Sequence, residues 1–388
     1  MYGTPGLTQC SGDACDIRPT TKITGEEREI IIITTAVITK DKVFTNGLYQ
    51  NIVILYRMFD AMGLMPILLL NERPDLSSMI PECMTDVRTI VADDIAKGAI
   101  PIKYFLEIGM SVDVHTKKYM RMIGARLMKV YLGNILNIDI ETSLFYPGIN
   151  FPHHVASGTD RVLVSPHYGQ HAEYAVAVNG EKPQALADSI APYVWDPMFL
   201  LDGVTRWRPA DTETLVIMEP NISFQKTSII PLLAMERWYR KNKEWKGKLL
   251  LFNSERLMVS PHFQKVHLDR MELFADGKVE CFQRQEIKDV LRVYPHATFI
   301  CHQVNNEFNY MFLELMWCGF PVIHNIATWG DFGYYYPGAD LDTAAAKWEL
   351  SRMHEKRTET YRAHAQTLAW RYSPYNPAVQ DAWRRILG

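Results

Sequence analysis

The sequence has no apolar run long enough to cross a bilayer. Its longest, Glu29–Thr35 (EIIIITT) and Lys248–Phe252 (KLLLF), fall far short of the ~20 residues a spanning helix needs, and both read as buried strands. Neither sign of charge dominates. The 41 Lys and Arg face 44 Asp and Glu, for a net charge of −3, so the chain has no global attraction for nucleic acid or an anionic membrane. Metal-ligand spacing is missing too: Cys10 and Cys15 are close, but no second pair or histidine cluster completes a zinc pattern. Cys281, Cys301 and Cys318 lie in apolar contexts and read as buried free thiols of a reducing compartment. No G-x-G-x-x-G fingerprint follows the first strand. Low-complexity tracts and solenoid periods are also missing. Residues 1–25 lack the basic start and apolar stretch of a secretory signal. A flexible N-terminal arm and a cytoplasmic location are expected.

What is present is the composition of a globular protein, 388 residues with 47% hydrophobic and 22% charged. That length fits two domains of about 150–200 residues. Apolar strand-length runs alternate with helix-length segments, which argues for parallel sheets covered by helices. In the first half the strands are Glu29–Thr35, Met65–Leu70, Val87–Val91, Lys103–Leu106, Leu127–Tyr131, Arg161–Ser165 and Pro192–Trp195, with helices over Leu48–Met62 and Tyr119–Ala125. Asp196–Ala210, with Pro197, Gly203 and Pro209, reads as a linker. The alternation then restarts, with strands at Glu213–Met218, Lys248–Asn253, Val279–Phe282, Thr298–Cys301 and Pro321–His324. Helices are expected at Thr227–Lys241, Gln285–Val293 and Tyr310–Trp317. Two Rossmann-like domains are therefore expected, at 26–200 and 211–357, followed by C-terminal helices over 358–388.

Asn305 to Asn325 (NNEFNYMFLELMWCGFPVIHN) is the most informative stretch. A strand ends at Cys301, a polar loop follows and a helix begins near Asn309. The unpaired amides at such a helix start, here Asn309 and Tyr310, can hold an anion. Glu314 lies about one turn into the helix, and Cys318-Gly319 stops it.

The segment FLELMWCGFPVIHN resembles the "LEAMACGTPVI" segment of retaining GT-B glycosyltransferases of family 4. A wider set of residues is similar to an uncharacterised glycosyltransferase-like group of bacteria and large DNA viruses. The set comprises Asn46-Gly47, Gln50-Asn51, Trp195-Asp196-Pro197, Glu219-Pro220-Asn221, His302-Gln303, Pro321–Asn325 and Gly333–Gly338. The resemblance implies an α/β GT-B fold, two Rossmann-like domains facing a central cleft, with the acceptor on the N-terminal side. The donor would be a nucleotide-diphosphate sugar of UDP or GDP type, with no other cofactor. It implies that Glu314 binds the donor ribose. Family members carry a second glutamate eight positions earlier; here that position is Asn306, with Glu307 one residue off, and either can face the sugar. Lys226 stands where the family places a lysine that neutralises donor phosphates, in a fold that uses no metal for this. The last helix is expected to cross back to the N-terminal domain.

Several further residues carry both a functional and a structural reading. Asn221 lies in the same loop as Lys226. Phe282 and Arg284, in CFQRQ, sit at a strand end where a base can stack and a phosphate can be met, or form a plain surface loop. Asn46-Gly47 is either a cleft-facing donor loop or a turn with a helix cap. His167 and His171 follow a strand in SPHYGQHAEY, and His115 and Glu107 lie near other strand ends. His167 and Glu107 are candidate acid–base groups. The Gly- and Tyr-rich segment 330–338 (GDFGYYYPG) is either a loop able to close over a sugar or a rigid packed aromatic loop. Asp340 and Asp342 come too late in the chain for a metal-binding D-x-D, so no metal is expected. The expected activity is hexosyl or pentosyl transfer to a glycan, glycoprotein or other hydroxyl acceptor. The alternatives are a nucleotide-sugar epimerase of the same fold and a non-catalytic nucleotide-sugar or glycan binder. Nucleic acid is not an expected partner, and the basic run Arg237–Lys248 reads as a solvated helix end rather than a membrane contact.

Overall fold

The computed structural model describes residues 28–40, 43, 47–74, 84–97, 100–146, 148–149, 155, 158–200 and 205–388. The expected arm and Asn46 therefore lie outside the described residues, as do Cys10, Cys15 and Cys83.

Two all-parallel sheets form the frame. The first contains β1 (Ile30–Thr35), β2 (Met65–Leu70), β3 (Thr89–Val91), β4 (Ile102–Glu107), β5 (Arg126–Tyr131) and β6 (Arg161–Val164), in the order β3-β2-β1-β4-β5-β6. The second contains β7 (Thr214–Ile217), β8 (Lys248–Leu251), β9 (Val279–Cys281), β10 (Thr298–Ile300), β11 (Val322–His324) and β12 (Tyr334–Tyr335). Read from its other edge, its order is β9-β8-β7-β10-β11-β12. Both halves thus run 3-2-1-4-5-6, the doubly wound order whose ligand crevice opens at the C-terminal ends of the first and fourth strands. The expected α/β fold, two Rossmann-like domains, is the one observed.

The strands form where the apolar runs predict because central strands of a covered parallel sheet are buried on both faces. Every residue of β1 is buried, with Ile32 paired to Ile67 on one side and Phe105 on the other. The helix Gly47–Ala61 lays Ile52, Leu55 and Phe59 on this sheet. In the second half a single core joins β7, β8, β10 and β11 to the helices Ile229–Tyr239, Tyr310–Trp317 and Thr358–Tyr372.

The last helix, Pro377–Leu387, packs Val379, Trp383, Ile386 and Leu387 into the core of the first half. Trp383 meets Phe59 edge-on at 5.3 Å, and Arg126 and Arg161 donate to the carbonyls of Leu387 (2.5 Å) and Ile386 (3.0 Å). Chain order and domain membership therefore separate: the C-terminal residues belong physically to the N-terminal half.

Four expectations need correction. Pro192–Trp195 is not a strand of the first sheet. Its Tyr193 and Trp195 side chains join the core of the second half, and the Trp195 amide donates to the Tyr372 carbonyl. The helix expected over Tyr119–Ala125 spans Val114–Met122, because Asp113 caps its start and Gly124, at φ +80°, ends it. Segment 330–338 is not an open loop over the cleft. It supplies β12, and Tyr334 and Tyr336 are buried, with hydroxyls bonded to His354 and to the Cys301 carbonyl. Cys281 is exposed, whereas Cys301 and Cys318 are buried, all three as free thiols.

Candidate functional site

The crevice of the second sheet is built by the segments leaving β7 and β10. Glu219, two residues beyond β7, is fully buried. Its carboxylate accepts from the His302 amide (2.9 Å) and from the Gln303 side-chain amide at both oxygens (3.0 and 3.1 Å). Burial pushes its pKa up to about 7. Lys226, in the loop that follows, pairs backbone to backbone with Gln303. Burial lowers the pKa of its ammonium and the charge of Glu219 opposes that shift, yet no carboxylate among the described residues lies within ion-pair distance of it. Asn221 does not point at a ligand. At φ 53° its side chain ties the loop together, donating to the Glu219 and Asn253 carbonyls and to Ser228 Oγ, and accepting from the Ser228 amide.

The helix Tyr310–Trp317 begins beside this crevice, with Asn309 as its cap accepting from the Met311 amide. Its first residue, Tyr310, meets Gly47, the first residue of the helix Gly47–Ala61 from the opposite half. Glu314 is buried and accepts from Gln50 at 3.4 Å, while burial raises its pKa to about 7. The Tyr310 hydroxyl accepts from Asn51 at 2.8 Å. A Cβ built on Gly47 would stand 2.5 Å from the Tyr310 ring, so only glycine permits this approach.

A second seam joins the segment 305–308 to the rim of the first half. Tyr168 donates to Asn306 Oδ1, and Asn134 donates to the Asn305 carbonyl at 2.9 Å. His167 stacks on Phe308 with ring centroids 4.0 Å apart. Neither ring nitrogen has a hydrogen-bond partner, and burial pulls the imidazole pKa down to about 3, so the ring is neutral. Glu307 turns the other way, accepting from the Thr328 amide and hydroxyl. Of the two residues left open by the sequence, Asn306 is the one that spans the seam.

The remaining candidates lie elsewhere. Glu107 is committed to a buried ion pair with Lys117 (3.0 Å) and to the Val112 amide (2.7 Å), so its surroundings are those of a structural anchor rather than a free base. His115 is exposed on the first turn of its helix. His171 bonds Asn134 at 3.1 Å and ends a 3-10 turn, so it does not share a helix face with His167. Phe282 stacks on Phe252 at 4.9 Å and Arg284 is exposed, its amide donating to Glu255. No group of three or more His, Cys, Asp or Glu able to hold a metal occurs among the described residues.

Sequence reasoning missed Glu219 as a site residue, along with Gln50 and Tyr168. The signal for Glu219 was available, since a carboxylate directly after an apolar strand at a sheet's switch point must find buried partners. Gln50 and Tyr168 gave none, because their partners are 264 and 138 residues away.

No helix among the described residues is long and apolar enough to cross a membrane. No curated protein matches the chain in sequence. Among solved structures it is similar to the apo form of the lipopolysaccharide outer core galactosyltransferase WaaB, at 11% identity over 92% of this chain and 99% of that one, with a TM-score of 0.53. It is similar to Anabaena Alr3699/HepE in complex with UDP, at 11% identity, 92% and 99% coverage and a TM-score of 0.55. It is also similar to an alpha-glucosyltransferase in complex with UDP and a 13-mer DNA containing a HMU base, at 11% identity, 93% and 100% coverage and a TM-score of 0.56. At such identities the likeness establishes the fold, which is GT-B. The family model described as protein of unknown function, DUF2827, matches residues 31–387, and the chain belongs to that family.

Proposed function

We propose that the protein is a glycosyltransferase that moves a sugar from a nucleotide-diphosphate sugar to a hydroxyl acceptor without a metal ion. The observation that carries this reading is the Lys226 ammonium, held at the switch point of the second sheet with no ion-pair partner, within the same crevice as the helix that bears Glu314. A half-buried cation whose nearest opposite charge, Glu219, lies beyond ion-pair distance suits an anionic group that arrives from outside. Glu314 would take the ribose hydroxyls in place of Gln50. Lys226 and the amides at the start of the helix Tyr310–Trp317 would offset the charge that grows on the departing diphosphate. The acceptor oxygen bonds to the anomeric carbon as the bond from that carbon to the phosphate oxygen breaks, and its proton passes to the departing diphosphate, while His167, buried against Phe308 with its pKa lowered to about 3, shapes the seam rather than acting as the base. The UDP bound by two of the similar structures supports the same assignment of the cleft.

The test is a thermal-shift panel with UDP, GDP, ADP, CMP and TDP, with and without magnesium. A nucleotide at a hundred times its dissociation constant adds about 2.7 kcal/mol of stability. One diphosphate is expected to shift the transition, independently of magnesium, and the shift is expected to vanish in Glu314→Ala. Silence from all five nucleotides sinks the donor site. Asn306, an amide where family-4 enzymes carry a glutamate, favours one second reading, a nucleotide-sugar binder without turnover. Release of free diphosphate in the presence of acceptor separates the two.

A further inference from the structure

Glu219 has no role in the transfer just described, yet it is the most deeply enclosed carboxylate of the crevice. It rests on the donor-site reading above, and we infer that Glu219 is the positioning residue of the site. Its carboxylate fixes Gln303 against the Lys226 loop and serves as the internal counter-ion that keeps the Lys226 ammonium charged until the donor diphosphate takes over that role.

The geometry is over-determined in a way that packing alone does not require. Both carboxylate oxygens are engaged by Gln303, and one also by the His302 amide. Gln303 is locked from behind by Asn325, which accepts from its amide at 2.8 Å and donates to its carbonyl at 2.7 Å. Lys226 is bridged to that same Gln303, and the Val304 amide donates to the Gln225 carbonyl at 2.8 Å. Glu219 therefore sets the backbone that carries Lys226 while its charge acts on the ammonium through a low-dielectric interior, where charges interact strongly without touching.

No other group facing Glu219 can substitute. The Cys301 thiol is pushed well above its usual range, the Tyr336 phenol likewise, and His302 is held neutral with its pKa lowered to about 4. Glu219 and Lys226 are thus the two charged members of the cluster. When a diphosphate reaches Lys226, its negative charge disfavours the ionised form of Glu219, so the carboxyl takes up a proton.

Two measurements on the full-length protein test this. The first needs no ligand: the titration of Lys226, followed by competitive acetylation and mass spectrometry, in wild type, Glu219→Gln and Glu219→Asp. Gln keeps an acceptor for His302 and can donate to Gln303 Oε1, which has no partner now. Glu219→Gln is therefore expected to fold normally with Lys226 titrating at lower pH. Glu219→Asp keeps the charge but withdraws it from Gln303, so Lys226 is expected to titrate close to wild type while thermal stability falls. The second is calorimetric binding of UDP at pH 6 and 8 in buffers of different ionisation enthalpy. Wild type is expected to take up protons on binding; Glu219→Gln is expected to take up none and to bind about tenfold more weakly at pH 8, recovering at pH 6. An unchanged Lys226 titration in Glu219→Gln overturns the inference, whatever UDP does. Failure of wild type to bind UDP counts against the donor site instead, and the ligand-free titration still decides the role of Glu219.

Discussion

Replacing Gly47 by alanine tests whether the two halves close as observed. Gly47 is the first residue of its helix, and Tyr310 is the first residue of the helix that carries Glu314. A Cβ on Gly47 would lie 2.5 Å and 2.9 Å from Cδ2 and Cε2 of Tyr310 and 3.4 Å from Cγ. Ordinary carbon contacts lie near 3.5–4.0 Å, so relief needs a movement of about 1 Å. The ring cannot simply swing away, because its hydroxyl is held by Asn51 at 2.8 Å and its Cγ is itself close. Overpacking of this kind costs about 1–3 kcal/mol, and here the cost falls on the closed arrangement alone. The N-terminal half is spared, since alanine is a better helix former than glycine by about 0.5–1 kcal/mol. The closed form should lose about 5- to 150-fold in population relative to open forms. Small-angle X-ray scattering should report a larger radius of gyration, and thermal unfolding monitored by circular dichroism should show an unimpaired N-terminal half. In a Tyr310→Leu background the effect should shrink, because the ring that clashes is gone. A Gly47→Ala protein as compact as wild type would refute the reasoning.

Other outcomes follow from the buried charges and the crossing helix. Glu314→Gln should weaken nucleotide binding but raise stability. A carboxyl raised to about 7 costs nothing below pH 4.5 and up to about 3 kcal/mol well above pH 7, so urea midpoints should favour the variant more at pH 8 than at pH 5. Four histidines carry the opposite sign: His167, His302, His324 and His354 have pKa values lowered to between about 3 and about 4, so the stability they contribute is present above pH 6.5 and lost as pH falls. Glu219, Glu314 and Asp196, raised to about 7, 7 and 6, offset three of them. His267 and His296 are lowered as well, so histidine protonation outweighs the carboxyls and stability is expected to fall between pH 6 and 5; His354→Gln should flatten that slope in urea titrations. Trp383→Ala, at a side chain 1% exposed against Phe59, should cost about 3–5 kcal/mol and lower the unfolding transition of the N-terminal half, read by urea denaturation.

The amino-acid sequence by itself determined every strand of the two sheets except β12, although it also suggested one at Pro192–Trp195 that does not form, and it determined the restart of the pattern at mid-chain. Runs such as Ile30–Thr35 and Lys248–Leu251 can satisfy their backbone and bury their side chains on both faces only inside a covered parallel sheet. The helix Tyr310–Trp317 was legible to the residue because Asn309 caps it and Gly319, at φ +80°, ends it, and both signals are local. The tertiary structure alone decided what the polar residues do. Asn221, with no periodic partner, became a loop tie; Glu107 became half of an ion pair; Asn306 rather than Glu307 reached across the seam. The structure also moved Tyr193, Trp195 and the final helix into cores that chain order does not suggest. The physical reason is the range of the interactions. Helix caps, turns and hydrophobic periods act over a few residues and can be read along the chain. The pairs Gln50–Glu314 and Asn51–Tyr310 join residues 264 and 259 positions apart, and the sheets must first fold and face each other before those groups have any partner to choose.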